Sequence, residues 1–168
     1  MDDQQRCERL YRAHVDQVHA YVRRRSDAQT ADEVVAEVFL VAWRRLDAVP
    51  RDPLPWLLGV ARKALANHRR SVSRLATLKA RIEATVIAPT GPADADHAVL
   101  AALAGLDPRD QEVLLLIAWE GLRQEEVGEV LGVSRRAVAT RFHRARKRLA
   151  EALAAQNEPA FGRGEVSR

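Results

Sequence analysis

Apolar residues recur along most of the chain at intervals of three and four, the spacing that places side chains on one face of an α-helix. Two stripes of this kind, one near each end of the chain, consist of Tyr11, Val15, Val18 and Val22 and of Val138, Phe142, Ala145 and Leu149. No alternation of apolar and polar positions is long enough to indicate a β-strand. The pattern therefore predicts an all-α protein.

Proline and glycine interrupt this helical pattern at two places. Residues 48–55, AVPRDPLP, contain three prolines and are predicted to form a loop. Residues 84–96, ATVIAPTGPADAD, lack long apolar periodicity and separate two helical halves. We therefore expect two small helical domains, at 5–73 and 97–153, joined by a flexible linker at 74–96. We expect the polar end of the chain, 156–168, to be disordered.

Several helix ends can be predicted from local sequence signals. The segment TADE, from Thr30 to Glu33, matches a capping box and predicts the start of the second helix. The third helix is expected from Leu54 onward. Asp107 followed by Pro108 is a strong helix start, because aspartate caps free amides and proline is tolerated at the first position.

The segment from 124 to 149 has the pattern of a helix-turn-helix. Residues 124–131 are predicted as its first helix, Gly132 and Val133 as the turn, and Ser134 as the cap of the long last helix. That helix opens with SRRAVATRFHRARKR, which carries seven Arg or Lys and no acid. We assign to base edges Arg135, Arg136 and Thr140, and mainly to DNA phosphates Arg141, Arg144 and Lys147. The alternative is a helical hairpin with a solvated basic face.

The net charge of +4 is small, but the charges are unevenly distributed. Residues 62–81 hold seven Arg or Lys and no acid, whereas residues 107–129 hold seven acids and two arginines. Two separate basic segments suggest two contacts with a polyanion. For either segment alone, a solvated helix face is the simpler explanation.

Other classes of function find little support in the residues. The single cysteine, Cys7, excludes an internal disulfide, and the five histidines lack metal-binding spacing. Neither a phosphate-binding glycine loop nor a nucleophile motif occurs, so we expect no catalytic residue, no metal and no cofactor. The polar N-terminus and the lack of an apolar run of 18 residues indicate a cytoplasmic protein without membrane insertion.

The segment VVAEVFLVAW, residues 34–43, is apolar at nine of ten positions. Val34, Val38 and Val41 share one helix face, while Val35 and Phe39 lie on another together with Trp43. A surface helix normally shows one apolar stripe. This helix is therefore either the buried centre of its bundle or a helix that presents one face to a partner protein, and its residues alone favour neither.

Three segments together resemble regions 2 and 4 of bacterial sigma factors of the extracytoplasmic-function group, in the sigma-70 family. They are SDAQTADEVVAEVFLVAWRRL, PLPWLLGVARKALANHRR and LAGLDPRDQEVLLLIAWEGLRQEEVGEVLGVSRRAVATRFHRARKRL. The likeness covers about residues 10–150. It implies a region 2 helical bundle at 5–73 that binds core RNA polymerase, and a region 4 helix-turn-helix at 97–153 that binds the -35 promoter element. It also suggests an anti-sigma factor as a partner.

The resemblance implies roles for individual side chains of region 2. Those matching the polymerase-binding stretch, which would contact the clamp helices of the largest subunit, are Asp32, Glu33, Glu37, Phe39, Leu40 and Trp43. Those expected to support the non-template strand of the -10 element are Arg62, Lys63, Asn67, Arg69 and Arg70. The loop from Val49 to Pro55 would shape the base pocket.

The chain departs from the family pattern at three positions. Ala36 stands where glutamine is common, Lys63 where asparagine is common, and Gly128 where the helix-turn-helix usually has alanine. The expected function is promoter-specific transcription initiation without enzymatic activity. The alternatives are a free-standing helix-turn-helix repressor or activator, which would bind duplex DNA without polymerase, and a helical adaptor for acidic proteins.

Overall fold

The chain is helical throughout the part that the structure, a computed structural model, describes, namely residues 2–79 and 97–157. In these ranges it forms α1 (Asp3–Arg23), α2 (Ala28–Arg44), a 3-10 turn (Leu46–Ala48), α3 (Pro53–Lys79), α4 (His97–Ala104), α5 (Pro108–Ala118), α6 (Gln124–Leu131) and α7 (Arg135–Asn157). No β-strand occurs within them. The all-α class and the two helical halves are confirmed. The predicted linker beyond Lys79 and the predicted tail beyond Asn157 lie outside the described residues.

Helices α1, α2 and α3 form an N-terminal three-helix bundle, which we call the first domain. Its apolar stripes meet in one core, and the fully buried side chains include Val18, Tyr21, Val38 and Leu57. Helix α3 continues to Lys79, six residues past the predicted domain end at 73. The apolar face of α3 thus closes the first domain, and its C-terminal turns extend into the span predicted as linker.

The start of α2 differs from the prediction. The helix begins at Ala28, and the carboxylate of Asp27 accepts hydrogen bonds from the backbone N–H and the hydroxyl of Thr30, both at 2.9 Å. The bond from the Thr30 amide holds the pKa of Asp27 below its usual value. The capping box predicted at Thr30 and Glu33 is therefore wrong. Glu33 accepts instead from the Gln29 side chain, at 3.3 Å.

The proline-rich loop is shorter than predicted. Leu46–Ala48 form the 3-10 turn, and α3 begins at Pro53, so Pro53 and Pro55 lie in its first turn. The first-turn amides of a helix have no intrahelical acceptor, and proline is tolerated there for that reason. Only residues 49–52 connect the 3-10 turn to α3, which leaves a small loop at this end of the bundle.

Helices α4 to α7 form the second domain, and here the predicted helix ends are accurate. Asp107 accepts from the Arg109 amide at 2.9 Å, with Pro108 at the first helical position of α5. Helix α6 ends at Gly132, whose φ of +67° is left-handed, and Ser134 accepts from the Ala137 amide at 3.2 Å. The helix-turn-helix geometry is therefore confirmed.

The two domains are in direct contact. Helix α6 packs against α3, and Val113, Leu116, Val127 and Val130 belong to the same buried cluster as the core of the first domain. A smaller cluster around α4, α5 and α7 completes the second domain. The described chain thus adopts a closed arrangement of its two domains, which the sequence pattern left open.

Candidate functional site

A cationic groove runs between the starts of α5 and α7. It has a volume of about 540 Å³. The side chains that line it are Asp107, Arg109, Ser134, Arg136, Ala137, Thr140, Arg141 and Arg144. Four of the six side chains predicted to contact DNA from the last helix are among them. The groove therefore brings guanidinium groups from two helices to the exposed face of the helix-turn-helix.

The other two predicted side chains of α7 lie away from this groove. The guanidinium of Arg135 pairs with Glu125 of α6 at 2.8 Å, and Lys147 lies 3.9 Å from Glu151 one turn further along α7. Both cations remain largely exposed. Arg135 in this arrangement bridges the two helices of the motif, a contact that the sequence did not indicate.

Arg144 has a structural partner that the sequence did not reveal. It donates from Nε to the carboxylate of Asp110 at 2.7 Å, while Arg148 lies 3.6 Å from the same carboxylate. The Asp110 side chain is fully buried, and the hydrogen bond from Arg144 lowers its pKa. Arg144 was assigned mainly to DNA phosphate, but here it neutralises a buried acid and fastens α7 to α5.

Arg109 is a candidate DNA contact that the sequence analysis missed. It is exposed in the first turn of α5 and lines the groove beside Arg136 and Arg141. Residues 107–129, which contain Arg109, are acidic overall, so the sequence does not mark this arginine as part of a basic surface. Only the packing of α5 on α7 places it next to the basic helix.

A second cationic surface lies on α3. All five side chains predicted there are exposed, namely Arg62, Lys63, Asn67, Arg69 and Arg70. Arg69 donates to the backbone oxygen of Arg25 at 3.0 Å, and Arg70 donates to the Asn67 side chain. Arg62 Nε lies 3.7 Å from Glu112 of the second domain. The structure thus places the predicted cations on one exposed stretch of helix.

The exposed face of α2 combines acids with large apolar side chains. It carries Asp32, Glu33, Glu37, Leu40 and Trp43. Leu40 and Trp43 are each 47% exposed, an unusual fraction for such large apolar groups. One side of α2 is core and the other is open, so this helix is not the fully buried centre of its bundle.

Phe39 does not share that open face. Its ring is 7% exposed and belongs to the core, so its assignment as a direct polymerase contact does not fit its position. Instead it packs edge-on against Tyr11 of α1, with ring centroids 4.8 Å apart. Tyr11, the first residue of the predicted apolar stripe of α1, is 46% exposed. Phe39 thus supports an exposed aromatic ring on the neighbouring helix.

Two further observations concern other kinds of site. Among residues 2–79 and 97–157, no group of His, Cys, Asp and Glu side chains is arranged to hold a metal ion. Within the same ranges, none of the helices combines the length and the apolar character needed to cross a membrane.

Comparison with known families assigns the two domains. The Sigma-70 region 2 family model matches residues 10–75, and the Sigma-70 region 4 model matches residues 96–149. The chain belongs to the sigma-70 family, in its extracytoplasmic-function group. The first domain is thus region 2, with the open α2 face and the cations of α3. The second is region 4, with the helix-turn-helix and its groove.

Two curated relatives have related sequences. The chain is 32% identical over 154 residues to "Probable RNA polymerase sigma factor RfaY" of Xanthomonas campestris pv. campestris, an alignment that covers 83% of this chain. It is also 32% identical over 158 residues to "ECF RNA polymerase sigma factor BldN" of Streptomyces coelicolor, covering 86% of this chain. The chain spans 38% and 59% of the length of these two relatives.

A solved structure has the same fold. It is a co-crystal structure of the sigma factor RpoE in complex with the anti-sigma factor NepR from Bartonella quintana. The TM-score is 0.69 at 19% identity, and the match covers 89% of this chain and 98% of that chain. At this identity the likeness concerns the sigma-factor fold alone.

Proposed function

We propose that this sigma-70 family chain is a promoter-specificity subunit of RNA polymerase, with no enzymatic activity of its own, that acts in the cytoplasm. The observation that carries the proposal is the combination of three surfaces in one chain. An open acidic and apolar face lies on α2, a cationic stretch lies on α3, and a cationic groove lies beside the helix-turn-helix. A free-standing repressor or activator would need only the last of these.

The α2 face is suited to a protein partner with basic and apolar groups. Leu40 and Trp43 would lose their solvent contact in a complex, and large aromatic side chains in such positions often dominate binding energy. The surrounding carboxylates of Asp32, Glu33 and Glu37 would attract cations at the rim. We assign this face to the clamp helices of the largest polymerase subunit, as the family resemblance implies.

The α3 cations are suited to a single strand held along its backbone. Arg62, Lys63, Asn67, Arg69 and Arg70 are exposed on the helix that follows the short loop at residues 49–52. Single-strand binding commonly combines such cationic support with a pocket or platform for unstacked bases. We assign these side chains to the non-template strand of the -10 element.

The region 4 groove is suited to duplex DNA. Arg136 and Thr140 lie near the start of α7, where side chains of a recognition helix meet base edges. Arg141, joined by Arg109 from α5, extends the cationic lining toward the phosphates. We assign the groove to the -35 element. Lys147, further along α7, would then contact backbone phosphate beyond it.

An anti-sigma factor is the second protein partner that we propose. The support is the fold shared with RpoE, which was solved as a complex with the anti-sigma factor NepR. The exposed apolar residues Tyr11, Leu40 and Trp43 provide a surface that an inhibitor and polymerase would both bind. Competition between the inhibitor and core polymerase for purified chain would test this assignment.

The deciding experiment for the proposed function is run-off transcription from genomic fragments with core polymerase, with and without the chain. We expect defined promoters to become active only when the chain is present. If no promoter responds, and the isolated chain instead protects a palindromic duplex, a repressor or activator is the correct interpretation.

A matched pair of substitutions extends that experiment to the α2 face. Glu37→Gln removes one exposed carboxylate from α2, and Glu129→Gln removes one exposed carboxylate from α6. We expect Glu37→Gln to weaken core-polymerase binding several-fold, and Glu129→Gln to change it less than twofold. Equal effects of the two substitutions would show that the α2 face is not the polymerase contact.

A further inference from the structure

Acidic side chains of region 4 lie against arginines of region 2 in the closed chain. The carboxylate of Glu120, which follows α5, accepts hydrogen bonds from Arg24 and, at 3.3 Å, from Arg25. Both arginines lie just beyond the end of α1. The Glu120 side chain is only 5% exposed. A carboxylate this deeply enclosed by two guanidinium groups is a specific contact between the domains.

A second acid extends this contact onto α3. Glu112 of α5 accepts from the Tyr21 hydroxyl at 3.3 Å and lies 3.7 Å from Arg62 Nε. Burial raises the pKa of Tyr21, which keeps its hydroxyl available as a donor. We call Glu112 and Glu120 the acidic face of region 4. It occupies a cationic surface of region 2 formed by Arg24, Arg25 and Arg62.

Apolar packing holds the acidic face in place. The Cβ that a side chain at Gly59 of α3 would carry lies 3.8 Å from the Cα atom of Val130 of α6. Val130 is 4% exposed and belongs to the core shared by the two domains. The first helix of the helix-turn-helix therefore covers one side of the helix to which we assign the -10 strand.

This closed arrangement is incompatible with simultaneous contact to both promoter elements. Positions -10 and -35 are about 25 base pairs apart, which is about 85 Å of duplex at roughly 3.4 Å per base pair. Packed helices such as α3 and α6 lie only about 8–10 Å apart. The two domains must therefore separate before region 2 and region 4 bind their elements on one promoter.

We infer that the acidic face of region 4 is an internal competitor of DNA: in the free chain it occupies Arg24, Arg25 and Arg62, and these arginines bind the promoter strand once the domains separate. The inference rests on the proposed function for the identity of the strand. It adds Arg24 and Arg25 to the candidate DNA contacts, and it assigns a role to the acidic segment around α5.

The incomplete pairing of the arginines supports exchange with a polyanion. Arg24 Nε and Arg25 Nη2 are buried and have no hydrogen-bond acceptor among the described residues. A nucleic-acid backbone presents a row of phosphate oxygens, whereas the acidic face presents two carboxylates. Arg24 Nε and Arg25 Nη2, which have no acceptor within the described part of the closed chain, would donate to phosphate oxygens in the DNA-bound chain.

A disulfide between the domains tests the inference in a single protein. The variant Gly59→Cys/Val130→Cys, in a Cys7→Ser background, places two thiols on helices in direct contact, since a Cβ at position 59 would lie 3.8 Å from the Cα atom of Val130. Its affinity for a single-stranded oligonucleotide is measured by fluorescence anisotropy, oxidised and reduced, with circular dichroism as the check on folding. We expect the oxidised form to bind at least tenfold more weakly. Equal affinities of two equally helical forms would overturn the inference.

Charge substitutions test the acidic face without a cross-link. We expect Glu120→Gln to tighten single-strand binding about threefold or more, and Glu129→Gln, which removes the same charge from an exposed site of region 4, to change it little. Adding Arg24→Ala and Arg25→Ala to Glu120→Gln should abolish the gain. A gain that survives loss of both arginines would show that they are not strand contacts.

These outcomes are independent of the proposed function. The single-strand measurements contain no polymerase, so their outcome depends only on whether region 4 and the oligonucleotide compete for the arginines of region 2. Run-off transcription with the reduced disulfide variant tests the proposed function separately. A reduced chain that binds the strand more tightly but never activates core polymerase would contradict the sigma role and leave the internal competition intact.

Discussion

At the residue scale, the cations of α7 are predicted to contact different parts of the DNA, base edges for one and phosphates for another. Arg136 lines the groove near the helix start, where a bidentate contact to a guanine is worth about 1–3 kcal/mol of discrimination. Lys147 is exposed further along the helix, and its Nζ lies 3.9 Å from Glu151. We expect Arg136→Ala to relax the sequence preference at one base pair of the -35 element. We expect Lys147→Ala to weaken binding to all duplexes by a similar factor.

The measurement is a binding titration on single-position variants of the -35 duplex at several salt concentrations. Loss of Lys147 should also reduce the salt dependence of binding by roughly one phosphate contact. A uniform loss of affinity for Arg136→Ala would instead assign Arg136 to the phosphate backbone.

Asp110 gives a prediction about stability and pH. Its pKa is lowered in the folded chain, chiefly by the hydrogen bond from Arg144. A lowered folded pKa means that the stabilisation is present above the unfolded value of about 4 and is lost as pH falls through the folded value. We expect Asp110→Asn to lose about 1.5–3 kcal/mol at neutral pH, because the neutral amide cannot accept the charge-assisted hydrogen bond that Arg144 donates to the carboxylate.

Urea unfolding at pH 7 and at pH values below 4 checks this expectation. The difference between the natural chain and Asp110→Asn should narrow as the pH falls through the folded pKa. A difference that stays constant with pH would mean that Asp110 contributes by packing rather than by its charge.

The residue scale also shows why sequence alone assigned some side chains wrongly. Helical spacing predicted both stripes correctly, but it does not state which end of a stripe is covered. Tyr11 continues the stripe of Val18 and Val22, yet it is 46% exposed, because the core of the bundle does not extend over it. Phe39 lies between two faces of α2, and the packing of α1 decided that it is buried.

At the element scale, the turn of the helix-turn-helix depends on Gly128. A Cβ at this position would lie 2.8 Å from the backbone oxygen of Val133, closer than real contacts. Alanine is a better helix former by about 1 kcal/mol, so sequence reasoning treats Gly128 as a tolerable weakness. Because of this contact, we expect Gly128→Ala to destabilise the chain by about 1–3 kcal/mol.

Gly105→Ala is the matched control for that substitution. Its added Cβ would lie 3.6 Å and 3.7 Å from the nearest backbone oxygens, an ordinary contact distance. Thermal unfolding of both variants should show a lowered midpoint for Gly128→Ala and little change for Gly105→Ala. An equal or raised midpoint for Gly128→Ala would show that the turn shifts freely to accept the methyl group.

Helix starts could be predicted from the sequence where a single capping residue occurs. Asp107 with Pro108, and Ser134 after the glycine turn, are such cases, and both caps form as predicted. At α2 two signals compete within a few residues, since Asp27 and Thr30 are both good capping residues. Thr30 is 9% exposed and donates to Asp27, so the burial of the threonine decided the outcome.

At the scale of the whole molecule, the contact between the domains could not be predicted from the sequence. The acidic segment 107–129 was visible as a charge count, but its partners lie far away along the chain: Arg25 and Glu120, for example, are 95 residues apart. The charge pattern of a sequence shows that a surface is acidic, but it does not show which other surface the acids contact. The family resemblance assigned a function to each domain and left their arrangement open.

The closed arrangement also predicts an order of binding events. Leu40 and Trp43 are exposed although the domains are in contact, whereas Arg24, Arg25 and Arg62 are paired with region 4. The face that we assign to polymerase is thus accessible before the cations that we assign to the strand. We therefore expect the oxidised Gly59→Cys/Val130→Cys chain to bind core polymerase within about threefold of the reduced chain, yet to support no transcription until a reductant is added.

Native gel shifts of labelled core polymerase, followed by run-off transcription of the same samples, check both parts of this prediction. The Cys7→Ser chain without the engineered pair is the control, and a reductant should leave it unchanged. Failure of the oxidised chain to bind polymerase at all would mean that the domains separate first. Polymerase would then select open chains, because the closed form would lack a surface needed for docking.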